Sequence, residues 1–130
     1  MDNSNIVYEY KDISEIKDFI KTEYENTECP YSKAILNYTD FDTPIKILVA
    51  LRDHTVLGFG LVEERDLSHL NILYIKESER RKGIAKSIVN NLNISKLGCI
   101  SGNKKALNFY KSLGFNTTFH GKYMNILERN

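Results

Sequence analysis

A short basic turn containing one glycine joins two segments of different periodicity, and it restricts the fold more than any other feature. Residues 70–75 form an apolar run that predicts a strand. Residues 84–92 carry apolar side chains at helical spacing. The chain therefore passes from a strand into a helix N-terminus through Arg80–Ala85, which reads Arg-Arg-Lys-Gly-Ile-Ala.

This predicted helix N-terminus has the properties of an anion-binding site. The first N–H groups of a helix lack intrahelical acceptors, and the helix dipole adds partial positive charge there. Such ends bind phosphate groups, and Gly83 lets a ligand approach the backbone closely. Lys86 adds further positive charge. We therefore predict a diphosphate cradle, which consists of Arg80, Arg81, Lys82, Gly83, Ile84 and Ala85.

Two common phosphate-binding motifs do not fit this segment. A Walker A loop requires Gly-x-x-x-x-Gly-Lys-Ser/Thr, whereas here Ala85 precedes Lys86 and Arg80 occupies the first glycine position. A Rossmann fingerprint requires three glycines, and only Gly83 is present. A small nucleotide-phosphate-binding α/β domain remains an alternative, although the missing Walker residues argue against it.

The pattern Arg80-x-x-Gly83-x-Ala85 resembles the acyl-CoA motif Gln/Arg-x-x-Gly-x-Gly/Ala of the GCN5-related N-acetyltransferase (GNAT) family. Downstream, Asn103 to Phe115 is similar to that family's second CoA-side segment, Asn-x-x-Ala-x-x-x-Tyr-x-x-x-Gly-Phe. The two motifs cover residues 70–115. The resemblance implies an acyltransferase that uses acetyl-CoA as its acyl donor.

The resemblance also implies roles for residues outside the cradle. The thioester carbonyl would meet backbone N–H at Tyr74 or Ile75, and Asn103 would bind the pantetheine arm, cap its helix, or do both. Tyr110 would protonate the CoA thiolate, because a phenol of pKa about 10 can give a proton to a thiolate of pKa about 8.5. The alternative for Tyr110 is a core aromatic residue.

The group that removes the proton from the acceptor amine is less defined. Some family members place a carboxylate early in the fourth strand, and the matching position is His69, eleven residues before Arg80. A histidine of pKa about 6.5 can act as a base, but His69 is equally consistent with a half-exposed strand residue. Glu63 and Glu64 are the alternatives, so the base stays open.

The remaining periodicities predict a mixed α/β fold, a sheet with helices on both faces. Because a helix connects the fourth and fifth strands, these strands should run parallel. The resemblance implies that they splay apart to admit the pantetheine arm. The predicted strands are 6–10, 45–51, 55–63, 69–75, 97–101 and a hairpin within 117–127; the predicted helices are 13–24, 31–38, 84–92 and 104–113.

The bulk properties narrow the class of protein. The 130 residues fit one domain, 1–130, and the net charge of +1 does not indicate nucleic acid or a membrane surface as partner. No apolar run approaches the roughly 20 residues of a membrane span. Cys29 and Cys99 have no metal-ligand spacing. We therefore expect a cytoplasmic protein with reduced thiols and no metal.

Together these features predict an N-acetyltransferase, in which an amine of a peptide or small molecule attacks acetyl-CoA directly in a ternary complex. The alternative is a non-catalytic CoA-binding module on the same fold. The acceptor is undefined, and either a monomer or a homodimer is expected. The short final hairpin predicts an open acceptor cleft. Separately, we expect Tyr74, Ile72 and Cys99 to lie around the acyl group.

Overall fold

The computed structural model describes residues 5–27 and 44–130, so the predicted helix at 31–38 lies outside the described residues. Most predicted elements form close to their predicted bounds. The elements are β1 (Ile6–Lys11), α1 (Ile13–Thr27), β2 (Ile45–Arg52), β3 (Thr55–Glu63), β4 (His69–Leu70), β5 (Ile72–Ile75), a 3-10 turn (Glu77–Glu79), α2 (Ile84–Asn91), β6 (Lys96–Ile100), α3 (Lys104–Ser112), β7 (Asn116–His120) and β8 (Met124–Glu128).

The described strands form two four-stranded sheets, whereas the sequence predicts one mixed sheet with helices on both faces. The first sheet has the order β1-β2-β3-β5, and its neighbours are all antiparallel. The second has the order β4-β6-β8-β7, in which only β4 and β6 are parallel. The mixed α/β class predicted from the sequence is confirmed.

The predicted strand 69–75 is broken at Asn71, so the prediction of a single fourth strand is wrong. Leu70 pairs with Leu97 of β6, whereas Ile72 pairs with Leu61 of β3. Leu70 belongs to the apolar cluster that includes α2, and Ile72 belongs to the cluster that includes α1. In a regular strand these two residues would share a face. Because of the break, Leu70 and Ile72 face different clusters. The parallel pairing with β6 is limited to His69 and Leu70.

The first sheet is covered by helices on opposite faces. Ile16 and Ile20 of α1 pack in one cluster with Phe59 of β3. Ile88 of α2 is fully buried in the other cluster, beneath β3. A Cβ at Gly60 would lie 2.5 Å from Ile88 Cγ2, so this glycine allows α2 to approach β3 closely.

Local hydrogen bonds begin and end the helices where the sequence predicts. The backbone N–H of Asp12 donates to Glu15 Oε1 at 2.9 Å, which is the side-chain half of a capping box. After α3, Gly114 has φ +97, and Phe115 N–H donates to Tyr110 O. These contacts form a Schellman-type end. Within residues 5–27 and 44–130, no helix combines the length and apolarity needed to cross a bilayer.

Candidate functional site

A cavity of about 780 Å³ opens where β5 ends, between the N-terminus of α2 and one side of α3. The fold brings the two predicted coenzyme motifs together at this cavity. Of the predicted cofactor-binding residues, Lys82 does not line the cavity. Those that do are Tyr74, Ile75, Arg80, Arg81, Gly83, Ile84, Ala85, Asn103 and Tyr110.

Gly83 shapes the helix end that faces this cavity. Its φ of +85 is in the left-handed region, which favours glycine, and its carbonyl accepts the N–H of Ser87 at 3.0 Å. A Cβ at Gly83 would meet nothing within 4 Å, so the space before the turn is open. Because the first amides of a helix have no intrahelical acceptor, Ile84 and Ala85 can offer theirs to a ligand.

The end of β5 directs backbone amides toward the same cavity. Lys76 N–H donates to Leu57 O of β3 at 2.8 Å. Because N–H groups of successive strand residues point to opposite sides, the Tyr74 amide faces β3 and the amides of Leu73 and Ile75 face away from it. Sequence reasoning left Tyr74 and Ile75 open as the carbonyl-binding position. Because the Ile75 amide faces away from β3, the pairing of β5 with β3 favours Ile75 over Tyr74 for this position.

Arg80 folds back onto the end of β5. Its Nε donates to Ile75 O at 2.8 Å, and its Cζ lies 5.6 Å from the centroid of the Tyr74 ring. The sequence predicted Arg80 as a cofactor-binding cation. In the structure, these contacts also hold the basic turn against the end of β5.

Glu79 is an acidic residue of the cavity that sequence reasoning did not select. Its Oε1 lies 3.1 Å from Arg52 Nη1 and 3.3 Å from Lys82 Nζ. Burial raises the pKa of Glu79, but the hydrogen bonds and charges of Lys82 and Arg52 outweigh it and hold the pKa below its ordinary value. Lys82 is thus held beside the cavity, and the cations that line it around the turn include Arg81 and Lys86.

Helix α3 forms the opposite wall. Tyr110 is buried, with its ring centroid 5.0 Å from that of Phe109 and 5.8 Å from that of Phe115. Asn103 Oδ1 accepts the N–H of Ala106 at 3.1 Å, so Asn103 caps α3 as predicted. Because the oxygen is used in the cap, the amide NH₂ of Asn103 is the group that can donate to a ligand.

None of the three predicted amine-side residues, His69, Glu63 and Glu64, lines the cavity. His69 is in β4, opposite Lys96, and it does not line the cavity. Glu63 ends β3, is buried, and accepts a hydrogen bond from Arg65 Nε. The fold therefore does not bring His69 or Glu63 together with Tyr110.

The expected acyl-pocket residues are also separated. Ile72 is buried in the cluster of α1, and Cys99 is buried in the cluster of α2. Only Tyr74 of the three lines the cavity. Burial raises the pKa of the Cys99 thiol, which keeps this thiol protonated.

Glu23 is a buried carboxylate that sequence reasoning missed. It lies in α1 with 4% of its surface exposed, and its Oε1 accepts a hydrogen bond of 2.7 Å from Tyr74 Oη. One sequence signal was available. Glu23 follows Ile16 and Ile20 at helical spacing, so the apolar face of the helix continues into a carboxylate.

A comparison with family models decides the identity of this domain. The model described as acetyltransferase (GNAT) domain matches residues 43–117, more than half of the chain. The chain belongs to the GNAT acetyltransferase family. The matched range contains β5, the Gly83 turn and α3, which are the parts that build the cavity. No curated protein matches the sequence closely enough to be a recognised relative.

Solved structures share the GNAT fold at low sequence identity. The PaiA N-acetyltransferase of Thermoplasma acidophilum, solved with coenzyme A, is 18% identical over 96% of this chain and 98% of its own, with TM-score 0.66. NAA60 of Arabidopsis thaliana with acetyl-CoA is 18% identical over 95% and 96%, with TM-score 0.68. Naa50 of the same plant, with the bisubstrate analogue CoA-Ac-MVNAL, is 14% identical over 97% and 99%, with TM-score 0.68. At these identities the likeness establishes the fold.

Proposed function

We propose that this GNAT protein is an N-acetyltransferase that transfers the acetyl group of acetyl-CoA to a primary amine, with residues 1–130 acting as one domain. The observation that carries the proposal is the shared cavity of the Gly83 turn, the outward Ile75 amide and Tyr110. One compared structure holds coenzyme A and another holds acetyl-CoA, which supports the choice of donor.

The cofactor would be held mainly by backbone groups. The diphosphate accepts hydrogen bonds from the amides of residues 81–85, and Arg81 and Lys86 add charge beside the helix end. Lys105 contributes a further cation from α3. The NH₂ group of Asn103 donates to the pantetheine arm. Glu79 holds Lys82 at the margin of the cavity, where the positive charge of Lys82 still favours an anion.

Acetyl transfer requires a hydrogen-bond donor to the thioester oxygen and an acid that protonates the departing thiolate. The Ile75 amide donates to the thioester oxygen as the amine attacks the carbonyl carbon, so negative charge on that oxygen is stabilised. The C–N bond forms, the C–S bond breaks, and Tyr110 gives its proton to the departing thiolate. His69 or Glu63 as the base for the amine stays a prediction, since neither lines the cavity.

Two measurements test the proposal. Calorimetry should show acetyl-CoA and CoA binding, and ATP should compete less effectively than CoA because the Walker residues are missing. Thiol release from acetyl-CoA should then rise with one or more members of an amine and peptide panel. Binding with no turnover on any acceptor would favour a CoA-binding module, and no affinity for CoA at millimolar concentration would overturn the proposal.

A further inference from the structure

We propose that Arg129, in the segment that follows β8, is a positioning residue for Tyr110. This inference rests on the proposed function, in which Tyr110 protonates the departing thiolate, and it adds a residue that the sequence patterns did not select. Arg129 does not line the cavity, so it would not touch the cofactor. It acts through the end of α3 and through the ring of Phe115.

The guanidinium group of Arg129 connects the end of α2 with the end of α3. Its Nε donates to Ile94 O at 2.8 Å, and its Nη2 donates to Asn90 Oδ1 at 3.1 Å. Its Nη1 donates to the carbonyl of Leu113, the residue that ends α3, at 3.0 Å. A guanidinium offers N–H donors in several fixed directions of one plane, which a lysine ammonium on its flexible stem does not. One side chain therefore ties the ends of both helices together.

The same guanidinium lies over an aromatic ring that contacts the proposed acid. Arg129 Cζ is 4.5 Å from the centroid of the Phe115 ring. Phe115 is fully buried, and its ring meets that of Tyr110 edge to face, with centroids 5.8 Å apart and planes at 76°. The Phe115 N–H also donates to Tyr110 O at 3.1 Å. Because a buried ring in a close-packed core has little space to shift, the position of Phe115 limits where the Tyr110 ring can lie.

Arg129 holds the part of α3 that carries Tyr110, at the other end from the groups that would bind the cofactor. Leu113, whose carbonyl accepts the Arg129 bond, donates its own N–H to Tyr110 O at 3.0 Å. The Gly83 turn and Asn103 lie at the N-terminal ends of α2 and α3. Loss of the Arg129 contacts should therefore shift the Tyr110 hydroxyl more than the diphosphate cradle. A misplacement of about 1 Å can lower a rate by roughly 100-fold, even when the changed residue is remote from the chemistry.

The test measures turnover of the full chain with acetyl-CoA and the member of the amine and peptide panel that gives the highest rate. Arg129→Gln removes the guanidinium and its charge, whereas Arg129→Lys keeps the charge alone. Both should lower kcat, Arg129→Gln roughly tenfold, while the calorimetric Kd for CoA stays within about twofold of the wild-type value. Lys111→Gln is the matched control, because it removes an exposed positive charge from the last turn of α3, and it should change neither quantity.

A double-mutant cycle separates positioning from stability. Arg129→Gln should lower kcat in the wild-type background but have little further effect beside Tyr110→Phe, because the hydroxyl that Arg129 positions is then already missing. Arg129→Lys takes its place in the cycle if Arg129→Gln does not fold. Equal losses of kcat in the two backgrounds would overturn the inference. So would a lower melting temperature with unchanged kcat, or a loss of CoA affinity as large as the loss of kcat.

Failure of the proposed function gives different results. An unchanged rate for Tyr110→Phe alone would refute Tyr110 as the acid. CoA binding with no turnover on any acceptor would favour a CoA-binding module. Either result overturns the inference together with that part of the proposed function, whereas equal losses in the two backgrounds would overturn the inference alone.

Discussion

Arg80 Nε and the carbonyl oxygen of Ile75 are joined by a hydrogen bond of 2.8 Å, although five residues separate them in the chain. The bond closes the 3-10 turn against the end of β5. It therefore connects Ile75, whose own amide N–H faces the cavity, with the first residue of the basic turn. Either Arg or Gln can fill this position in the family motif that the segment resembles, and both side chains carry N–H donors.

Replacing Arg80 should reduce activity more than the loss of one positive charge would, because it also removes the hydrogen bond to the end of β5. Arg80→Ala should weaken acetyl-CoA binding and lower kcat/KM about tenfold or more, because the Ile75 carbonyl loses a charged donor. Arg80→Gln, which can still donate, should retain more activity. Lys17→Ala on the exposed side of α1 is the charge-matched control. Equal activity of Arg80→Ala and Lys17→Ala would contradict this role.

Gly83→Asp should reduce CoA affinity on the order of 100-fold, because it places a like charge at the predicted diphosphate position. Gly114→Asp is a close control. Gly114 also has a positive φ, of +97, and open space for a Cβ, but it lies at the far end of α3 and does not line the cavity. Both variants should lose similar stability in thermal unfolding. Equal CoA affinity in calorimetry for the two folded variants would argue against the cradle.

Tyr110→Phe should retain acetyl-CoA binding but slow thiol release on the order of 100-fold, the usual contribution of a positioned general acid. The ring contacts with Phe109 and Phe115 survive the change, so the fold should persist. Tyr123→Phe, at a residue 75% exposed, removes the same hydroxyl without effect. An unchanged single-turnover rate for Tyr110→Phe would show that Tyr110 acts only as a packing residue.

Gly60→Ala should destabilise the fold by about 1–3 kcal/mol, the cost of overpacking. The new methyl group would lie 2.5 Å from Ile88 Cγ2, and Ile88 is fully buried between α2 and the sheet. Gly102→Ala meets nothing within 4 Å and should be tolerated. Urea unfolding measures both. Equal midpoints for the two variants would mean that α2 can shift without cost.

The Glu79 ion pairs should make stability depend on pH in one direction. The pKa of Glu79 in the folded protein lies below its ordinary value of 4.5. A lowered folded pKa adds stability that is present above the ordinary value and disappears as the pH falls through the folded value. Glu79→Gln should therefore lower the melting temperature at neutral pH, and its difference from wild type should shrink below pH 4.5.

The comparison variant for this effect is Glu64→Gln, which removes an exposed carboxylate at the end of β3. At neutral pH its melting temperature should differ less from that of wild type than the melting temperature of Glu79→Gln does. If the Glu79→Gln difference grew on acidification, the assignment of the Arg52 and Lys82 pairs as stabilising would be wrong. High salt should also reduce the difference, because exposed parts of the pairs are screened.

Sequence patterns alone located the local features of this protein. The start of α1 at Ile13, the end of α3 before Gly114 and the start of α2 after Gly83 depend on residues within one or two turns, so they can be read from spacing. The Gly83 motif and the motif from Asn103 likewise identified the two walls of the cavity. The resemblance of both segments to CoA-side motifs of one family predicted that one cofactor would meet both.

Tertiary structure decided the relationships between residues far apart in the chain. The break at Asn71 depends on pairing with β3 on one side and β6 on the other, and a run of apolar residues does not encode that change of partner. It placed His69 away from the cavity, and β5 packing against α1 brought Glu23 onto Tyr74, fifty-one residues later. Such contacts arise when separate elements share a core, so their geometry is set by packing and not by local spacing.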